Sequence, residues 1–305
     1  MKQHIKKSVA SPWRQGLGVL LAVMAPLLPL ALAAADPAER PLVVTSIRPL
    51  TLIARELAGG DAEVRELLTA GEDPHHVALS PSRRRLLARA DLVVWVGPGL
   101  EAFLAKPLAG LDAERVLTWL PGGADHGGDH GHLQGTAGDP HVWLDPAATV
   151  RFARALAGRL ARLEPSGAAG FRSRLADFEA RLDAVDGGIA GRLAPLGDRV
   201  FVAEHAAYGP FLAHYGLQLA GSLSDPSGVA LGARNLWGLK GRDDVACVAV
   251  ERAPGSRLAR QLAAQLGVPV VVIDPLGLDV PLARGYAGLL GGMAAGFEEC
   301  LDSGQ

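Results

Sequence analysis

The sequence predicts an α/β protein with two lobes, each a mainly parallel sheet flanked by helices, joined by a long linker helix. Short apolar runs alternate with helical patterns in residues 36–165 and again in residues 195–305. This alternation is typical of βαβ units, which build parallel sheets. Between the two regions, residues 166–194 carry apolar residues at helical spacing, with Arg, Asp and Glu at the other positions.

Residues 1–35 have the composition of a secretory signal peptide. Their apolar run, 17–32, follows basic residues and ends in small-residue cleavage patterns. An uncleaved membrane anchor is the alternative, but Pro26, Pro29 and the modest length of the run disfavour it. We therefore expect a soluble, exported protein, most simply located in a bacterial periplasm. The basic residues before the run are Lys2, Lys6, Lys7 and Arg14.

The charge balance limits the possible partners. The chain has 30 Lys and Arg residues against 32 Asp and Glu residues, a net charge of −2, and loss of the four basic residues of the leader would change it to −6. A mildly acidic domain is not expected to bind nucleic acid or an anionic membrane as its main partner. It is compatible with binding cations, and we expect a soluble protein of this kind to be a monomer.

The N-terminal lobe, 36–165, is assigned from its strand and helix signals. Ser80 and Pro81 predict a helix start, because serine caps a helix and proline suits its first turn. A pair of glycines, Gly59 and Gly60, ends the preceding helix. The predicted strands are 42–47, 64–68 and 92–97, and the predicted helices are 49–58, 80–90 and 147–163.

The linker and the C-terminal lobe follow the same reasoning. Apolar residues from Phe171 to Ile189 repeat at helical spacing and predict one long helix, 166–194. In the lobe that follows, the predicted strands are 199–205, 245–251 and 268–275, and the predicted helices are 209–215, 256–266 and 282–301.

The chain has two cysteines, Cys247 and Cys300. In an oxidising compartment an even pair most simply forms one disulfide, here between a predicted strand and the last helix. Two unrelated buried thiols are the alternative. Either arrangement makes both cysteines poor candidates for metal ligands.

A Gly-rich, His-rich tract occupies residues 124–138. It has no hydrophobic period and predicts a surface loop, and its imidazoles suit a borderline metal such as Zn²⁺. We expect these side chains to capture zinc weakly, as an auxiliary to another site. A surface loop without a role is the alternative. The histidines of the tract are His126, His130 and His132.

Four other side chains follow predicted strands or rigid turns. His75 follows Glu-Asp-Pro, His141 follows Asp-Pro, and His205 and Asp274 end strands. Ligands of open α/β sheets bind beyond the carboxyl ends of the strands, so these side chains can converge in the cleft between the lobes. Three imidazoles with one carboxylate or water make a tetrahedral site suited to Zn²⁺.

Each of these residues also has a structural interpretation. A lone histidine is often a hydrogen-bonded surface residue, and Asp274 could cap the turn that it makes with Pro275. Glu251, at the end of another strand, competes with Asp274 for the carboxylate role. We do not expect His76 or His214 to bind metal, because His76 should point away from His75 and His214 falls within a helix.

The motifs around these residues resemble those of ZnuA-like zinc-binding proteins, the extracytoplasmic solute-binding subunits of ABC transporters for transition metals. The resemblance spans nearly all of the chain after the leader. It is carried in order by GEDPHHVALSPS at 71–82, DLVVWVGPGLEAF at 91–103, DPHVWLDP at 139–146, EHAAYGPF at 204–211 and IDPLG at 273–277.

This resemblance implies two lobes, a zinc site in the cleft and delivery of Zn²⁺ to a membrane permease. Carried over residue by residue, it implies that His75, His141 and His205 are ligands and that Asp274 is the fourth. Manganese- and iron-binding relatives tend to have a carboxylate at the position of His205, so the imidazole favours zinc. The tyrosine common after the first motif is replaced here by Val77.

The sequence leaves three alternative functions open. They are a manganese- or iron-binding solute-binding protein, an exported zinc enzyme and a periplasmic zinc buffer. A catalytic zinc site needs an open position and a general base, and the chain has no His-Glu-x-x-His motif. Glu204, beside His205, is the one obvious candidate for a base, so we predict that the protein is not an enzyme.

Overall fold

The N-terminal half folds around a parallel sheet in the order β2-β1-β3-β4. The computed structural model describes residues 40–120 and 139–302. The side chains of β3 are all buried, as expected of an inner strand covered by helices on both faces. The elements are β1 (Leu42–Thr45), α1 (Arg48–Ala58), β2 (Glu63–Glu66), α2 (Pro81–Arg89), β3 (Leu92–Trp95), α3 (Ala102–Leu108) and β4 (Val116–Thr118).

Two long helices follow the first sheet. They are α4 (Pro146–Leu163) and α5 (Ala168–Leu193). Asp145 caps α4, because its Oδ1 accepts the backbone N–H of Ala147 at 2.8 Å. The glycine pair in the second half of α5 does not end this helix, which continues to Leu193.

The C-terminal half repeats the first arrangement, with a parallel sheet in the order β6-β5-β7-β8. The central strand β7 is buried at every residue. The elements are β5 (Val200–His205), α6 (Gly209–Tyr215), β6 (Gln218–Ser224), α7 (Ala233–Leu239), β7 (Val245–Val250), α8 (Arg257–Leu266), β8 (Val270–Val272) and α9 (Gly285–Asp302). The predicted α/β class with two parallel sheets and a long helix is confirmed.

The linker helix α5 packs against both halves. It contacts α1 and α4 on the N-terminal side and α9 on the C-terminal side. Arg174 of α5 donates to the Leu57 carbonyl at 2.7 Å and to Asp61 at 2.6 Å, which fixes the helix against the end of α1. The helix is therefore part of the core. Its buried residues are Phe171, Phe178, Leu182, Ile189 and Leu193.

The sequence did not predict α3, β4, β6 or α7. A proline inside α3 and the three-residue length of β4 hide both from periodicity. The edge strand β6 reads QLAGSLS and has no β-branched residue, and α7 begins without a capping side chain. Strand β2 begins and ends earlier than predicted, although Leu67 and Leu68 still donate to the Thr45 and Ser46 carbonyls.

The predicted disulfide is present. Cys247 of β7 and Cys300 of α9 are joined, with their Cα atoms 5.4 Å apart. Within the described ranges, no helix is long and apolar enough to cross a membrane. The predicted leader, 1–35, and the His-rich tract, 124–138, lie outside the described residues, and the predicted lobe boundaries at 165/166 and 194/195 stay predictions.

Candidate metal site

The carboxyl ends of the two sheets position three histidines. His205 is the last residue of β5, and His75 lies in the loop between β2 and α2. That loop is tied to α2 because Arg83 donates to Glu72 at 2.7 Å, and this pairing lowers the pKa of Glu72 to about 2. His141 precedes a short 3₁₀ turn, Val142–Leu144, that leads into α4.

The three imidazoles lie close together. Each of His75, His141 and His205 offers a ring nitrogen, and these atoms lie within 4.8 Å of one another. Ring centroids are 5.8 Å apart for His75 and His141, 5.5 Å for His75 and His205, and 5.1 Å for His141 and His205. Among the described residues, a search for three or more His, Cys, Asp or Glu side chains that could hold a metal ion finds these three histidines.

Carboxylates hold two of the rings by Nδ1. The Nδ1 atom of His141 is 2.8 Å from Asp139 Oδ1, and that of His205 is 2.7 Å from Glu251 Oε1. A carboxylate at Nδ1 fixes the proton there and leaves Nε2 with a free lone pair. This arrangement is the usual support of a metal-binding imidazole, since it orients the ring and raises its basicity.

Two of the Nε2 atoms have no other partner. Nε2 of His75 and Nε2 of His205 are buried and make no hydrogen bond. A buried polar atom without a partner is costly, because it loses water and gains nothing in return. A metal ion bound to these atoms would remove the cost, so the residues present fit Zn²⁺.

The surroundings set the charge of two rings. Burial, with the nearby His141, lowers the pKa of His75 to about 4, so this ring is neutral at pH 7. Burial also disfavours the charged form of His205, but the hydrogen bond and charge of Glu251 outweigh it and raise its pKa above 6.5. His205 is therefore the ring at which protons compete with a metal near neutral pH.

Asp274 makes the turn predicted as its alternative role. Its Oδ1 accepts the backbone N–H groups of Leu276 at 2.9 Å and Gly277 at 3.0 Å, and its Oδ2 accepts that of Leu278 at 2.6 Å. Asp274 is not in the three-histidine group found among the described residues. Its role as the fourth ligand stays a prediction, and these hydrogen bonds favour the capping role.

Three of the other candidates have partners in the described structure. Glu251 contacts the His205 ring from its Nδ1 side. His76 is exposed and pairs with Asp73 at 2.8 Å, and its ring centroid is 6.2 Å from that of His75. His214 lies on α6 and pairs with Asp186 at 2.8 Å. The loop histidines His126, His130 and His132 lie outside the described residues.

The sequence reasoning missed the residues that orient the histidines. Asp73 Oδ1 accepts the backbone N–H of His75, and Asp139 Oδ1 accepts that of His141, each at 2.9 Å. The repeated Asp-Pro-His sequence was the available signal, since aspartate commonly bonds to the backbone two residues on. Gly209 was also missed. A Cβ at this position would lie 2.3 Å from Asp139 Oδ2, so the close approach requires glycine.

A cavity of about 250 Å³ opens beside the histidines. Trp143, which forms part of its wall, is anchored because its indole N–H donates to the Pro275 carbonyl at 2.7 Å. The space is large enough for an ion with a small additional ligand. The lining includes the three histidines, Asp73, Trp143, Glu251, Arg252 and Leu276.

Known proteins share this fold. The zinc-bound ZnuA-like domain of AdcA from Streptococcus pneumoniae matches with a TM-score of 0.69 at 25% identity, covering 86% of this chain and 99% of that one. The periplasmic zinc binding protein TroA from Treponema pallidum matches with a TM-score of 0.73 at 23% identity, covering 86% of this chain and 99% of that one. At that lower identity the likeness shows the fold alone.

Sequence comparisons also match most of this chain to zinc uptake proteins. A high-affinity zinc uptake system protein ZnuA from Haemophilus ducreyi is 32% identical over 289 residues, covering 85% of this chain and 93% of that protein. Its counterpart from Paracoccus denitrificans is 31% identical over 311 residues, covering 87% and 93%. The family model described as "ZnuA: Zinc-uptake complex component A periplasmic" matches residues 43–300. The chain therefore belongs to the ZnuA family, whose members are components of zinc uptake and not enzymes.

Proposed function

We propose that the protein binds Zn²⁺ through His75, His141 and His205 and delivers it to an ABC permease for high-affinity zinc uptake. The observation that carries this proposal is the convergence of three imidazoles whose ring nitrogens lie within 4.8 Å of one another. The carboxylates at Nδ1 of His141 and His205 support it, because they prepare the rings as ligands before the metal arrives. Zinc is the cargo of this site.

The donor set favours zinc over manganese and iron. Imidazole nitrogen suits Zn²⁺, whereas Mn²⁺ prefers carboxylate and water oxygens. The family name and the names of the relatives, zinc uptake system proteins and a zinc-binding lipoprotein, point the same way. A manganese- or iron-binding role is the alternative, and competition between metals for one site would distinguish the two.

The family places the protein outside the cytoplasm, and its finer location is part of the proposal. We propose that residues 1–35 are removed on export and that the mature chain works as a monomer in the periplasm. The permease partner would lie in the inner membrane. The division into lobes at 36–165 and 195–305, with 166–194 as the linker, belongs to the same proposal.

Zinc titration of the metal-stripped mature protein tests the site. We expect one tight zinc per chain and a loss of more than about 100-fold in affinity for each of His75→Ala, His141→Ala and His205→Ala, since a lost ligand costs more than a lost supporting group. His214→Ala, on α6, is the matched control and should bind as tightly as the wild type. Asp274→Asn should change stability more than affinity.

Deletion of residues 125–132 separates the cleft site from the His-rich tract. We expect the tight site to survive this deletion, with slower zinc uptake as the only loss, because the loop histidines would act by raising local ligand density. Tight binding that survives all three histidine substitutions and disappears with the tract would show instead that the protein is a loop chelator.

A further inference from the structure

The zinc site that we propose has three protein ligands and room for another. Zn²⁺ in proteins takes four ligands, and the metal-competent group among the described residues contains three imidazoles and no carboxylate. The nearby carboxylates already have partners. Glu251 holds His205, and both oxygens of Asp274 accept backbone N–H groups. The fourth ligand can therefore come from outside the chain, through the cavity.

Arg252 stands at this cavity without a partner. Among the residues that line the cavity, Arg252 is the one with a basic side chain. This side chain is exposed, and its guanidinium makes no hydrogen bond or ion pair with the described residues. The guanidinium lies against the backbone of Gly71, where an added Cβ would be 3.0 Å from Nη1 and 3.3 Å from Nη2. An unpaired guanidinium offers a flat fork of N–H donors, which suits the two oxygens of a carboxylate or carbonate group.

We propose that the zinc-loaded cleft binds a small anion with a carboxylate or carbonate group, one oxygen on the zinc and the other on the guanidinium of Arg252. This inference rests on the proposed zinc site. The cavity of about 250 Å³ accommodates an ion and a ligand of this size. Bicarbonate and small organic carboxylates share the required chemistry.

The charges make this binding ordered, zinc first. Glu72, Asp73 and Glu251 line the cavity, and of these only Glu72 is neutralised by an arginine, Arg83. In the metal-free cavity these carboxylates oppose the attraction of Arg252 for an anion. Bound Zn²⁺ adds two positive charges and displaces at most the one proton of His205, so the metal makes the local potential more positive. The anion should consequently bind more tightly to the loaded protein than to the metal-free one.

Cobalt(II) in place of zinc gives a direct test, because its visible absorption reports the fourth ligand. Acetate and bicarbonate would be titrated separately into the Co²⁺-loaded mature protein, in a sulfonate buffer, with chloride as an anion that cannot bridge. We expect a saturable spectral change with acetate or bicarbonate, and the tighter of the two identifies the source. In Arg252→Gln the half-saturating concentration should rise about 10- to 100-fold, the usual effect of losing a charge-assisted hydrogen bond.

Two further variants make the test specific. Arg257→Gln, an exposed arginine at the start of α8 that does not line the cavity, should titrate like the wild type. Arg252→Lys, which keeps the charge and loses the fork, should fall between the two. The inference fails if Co²⁺ binds and its spectrum ignores both anions, or if Arg252→Gln titrates like the wild type. Failure to bind Co²⁺ or Zn²⁺ at all would instead contradict the proposed function.

Discussion

His205 and Glu251 set how the site responds to pH. Zinc binds the neutral imidazole, and Glu251 raises the pKa of His205 above 6.5, whereas the pKa of His75 is lowered to about 4. Near neutral pH, zinc therefore displaces a proton from His205 and none from His75. We expect zinc affinity to fall as the pH drops through the raised pKa of His205, and to fall again near pH 4 as His75 becomes protonated.

Calorimetric titration in buffers of different ionisation enthalpy measures this proton. The wild type should release close to one proton from His205 per zinc at a pH below its raised pKa. In Glu251→Gln the pKa of His205 should fall, so the proton release moves to lower pH, and the affinity should decrease about 10- to 100-fold through loss of the supporting carboxylate. Glu204→Gln is the matched control, because Glu204 accepts the Ser256 N–H and does not contact the ring. Proton release identical in both variants would contradict this role of Glu251.

At the scale of residues, the sequence identified the three histidines and could not rank the carboxylates. Asp-Pro-His and a histidine at the end of a strand are visible in one dimension. The pairing of Glu251 with His205 joins residues 46 positions apart, on β5 and at the end of the neighbouring strand β7. Such a contact depends on strand order, which the sequence does not state. Asp274 and Glu251 are equivalent from the sequence, and only their hydrogen bonds distinguish them.

At the scale of elements, the disulfide joins β7 to α9 covalently. It closes a loop of 53 residues. In the chain-entropy model a crosslink of this span stabilises the folded state by about 4 kcal/mol, because it restricts the unfolded chain. Both sulfur atoms lie in the core, so their replacement by alanine needs no new polar partner.

We expect Cys247→Ala combined with Cys300→Ala to lower the free energy of unfolding by about 4 kcal/mol. Urea unfolding with and without a reductant measures the effect. The reductant should shift the midpoint of the wild type and leave that of the double variant unchanged, which serves as the control. Zinc affinity should not change, since neither cysteine contacts the histidines. A wild-type midpoint indifferent to complete reduction would contradict the prediction.

The strands and helices missed from the sequence show where local signals end. Helix α2 was visible because Ser80 accepts the N–H of Arg83 and a proline follows, a signal complete within four residues. Strand β6 has no such signal. Its register comes from pairing with β5 along Val200–His205. Edge strands and short helices of this kind form because neighbouring elements hold them, so their own sequence under-predicts them.

At the scale of the whole molecule, the two sheets share one core. The largest apolar cluster joins β1 and β3 of the first sheet to β5 and β7 of the second through α1, α4, α5 and α9. Polar contacts follow the same path, since Glu56 of α1 accepts the backbone N–H of Tyr286 in α9 at 2.6 Å. The Tyr286 hydroxyl contacts Thr149 of α4 at 2.9 Å. The described residues from Arg40 to Asp302 accordingly form one compact unit.

This shared core predicts that the metal-free protein unfolds in one cooperative transition. If the lobes were independent, each would melt at its own temperature, but separating them here would expose the apolar faces of α1, α5 and α9 to water. Scanning calorimetry of the metal-free protein should give a calorimetric enthalpy equal to the van't Hoff enthalpy.

Free zinc at 100 times its dissociation constant should stabilise the folded state by about 2.7 kcal/mol and move the whole transition to higher temperature. His205→Ala should unfold in a single transition that zinc no longer shifts, because the core stays intact while the site is lost. Two transitions in the metal-free wild type, only one of them moved by zinc, would mean that the lobes fold separately and that α5 is merely a tether between them.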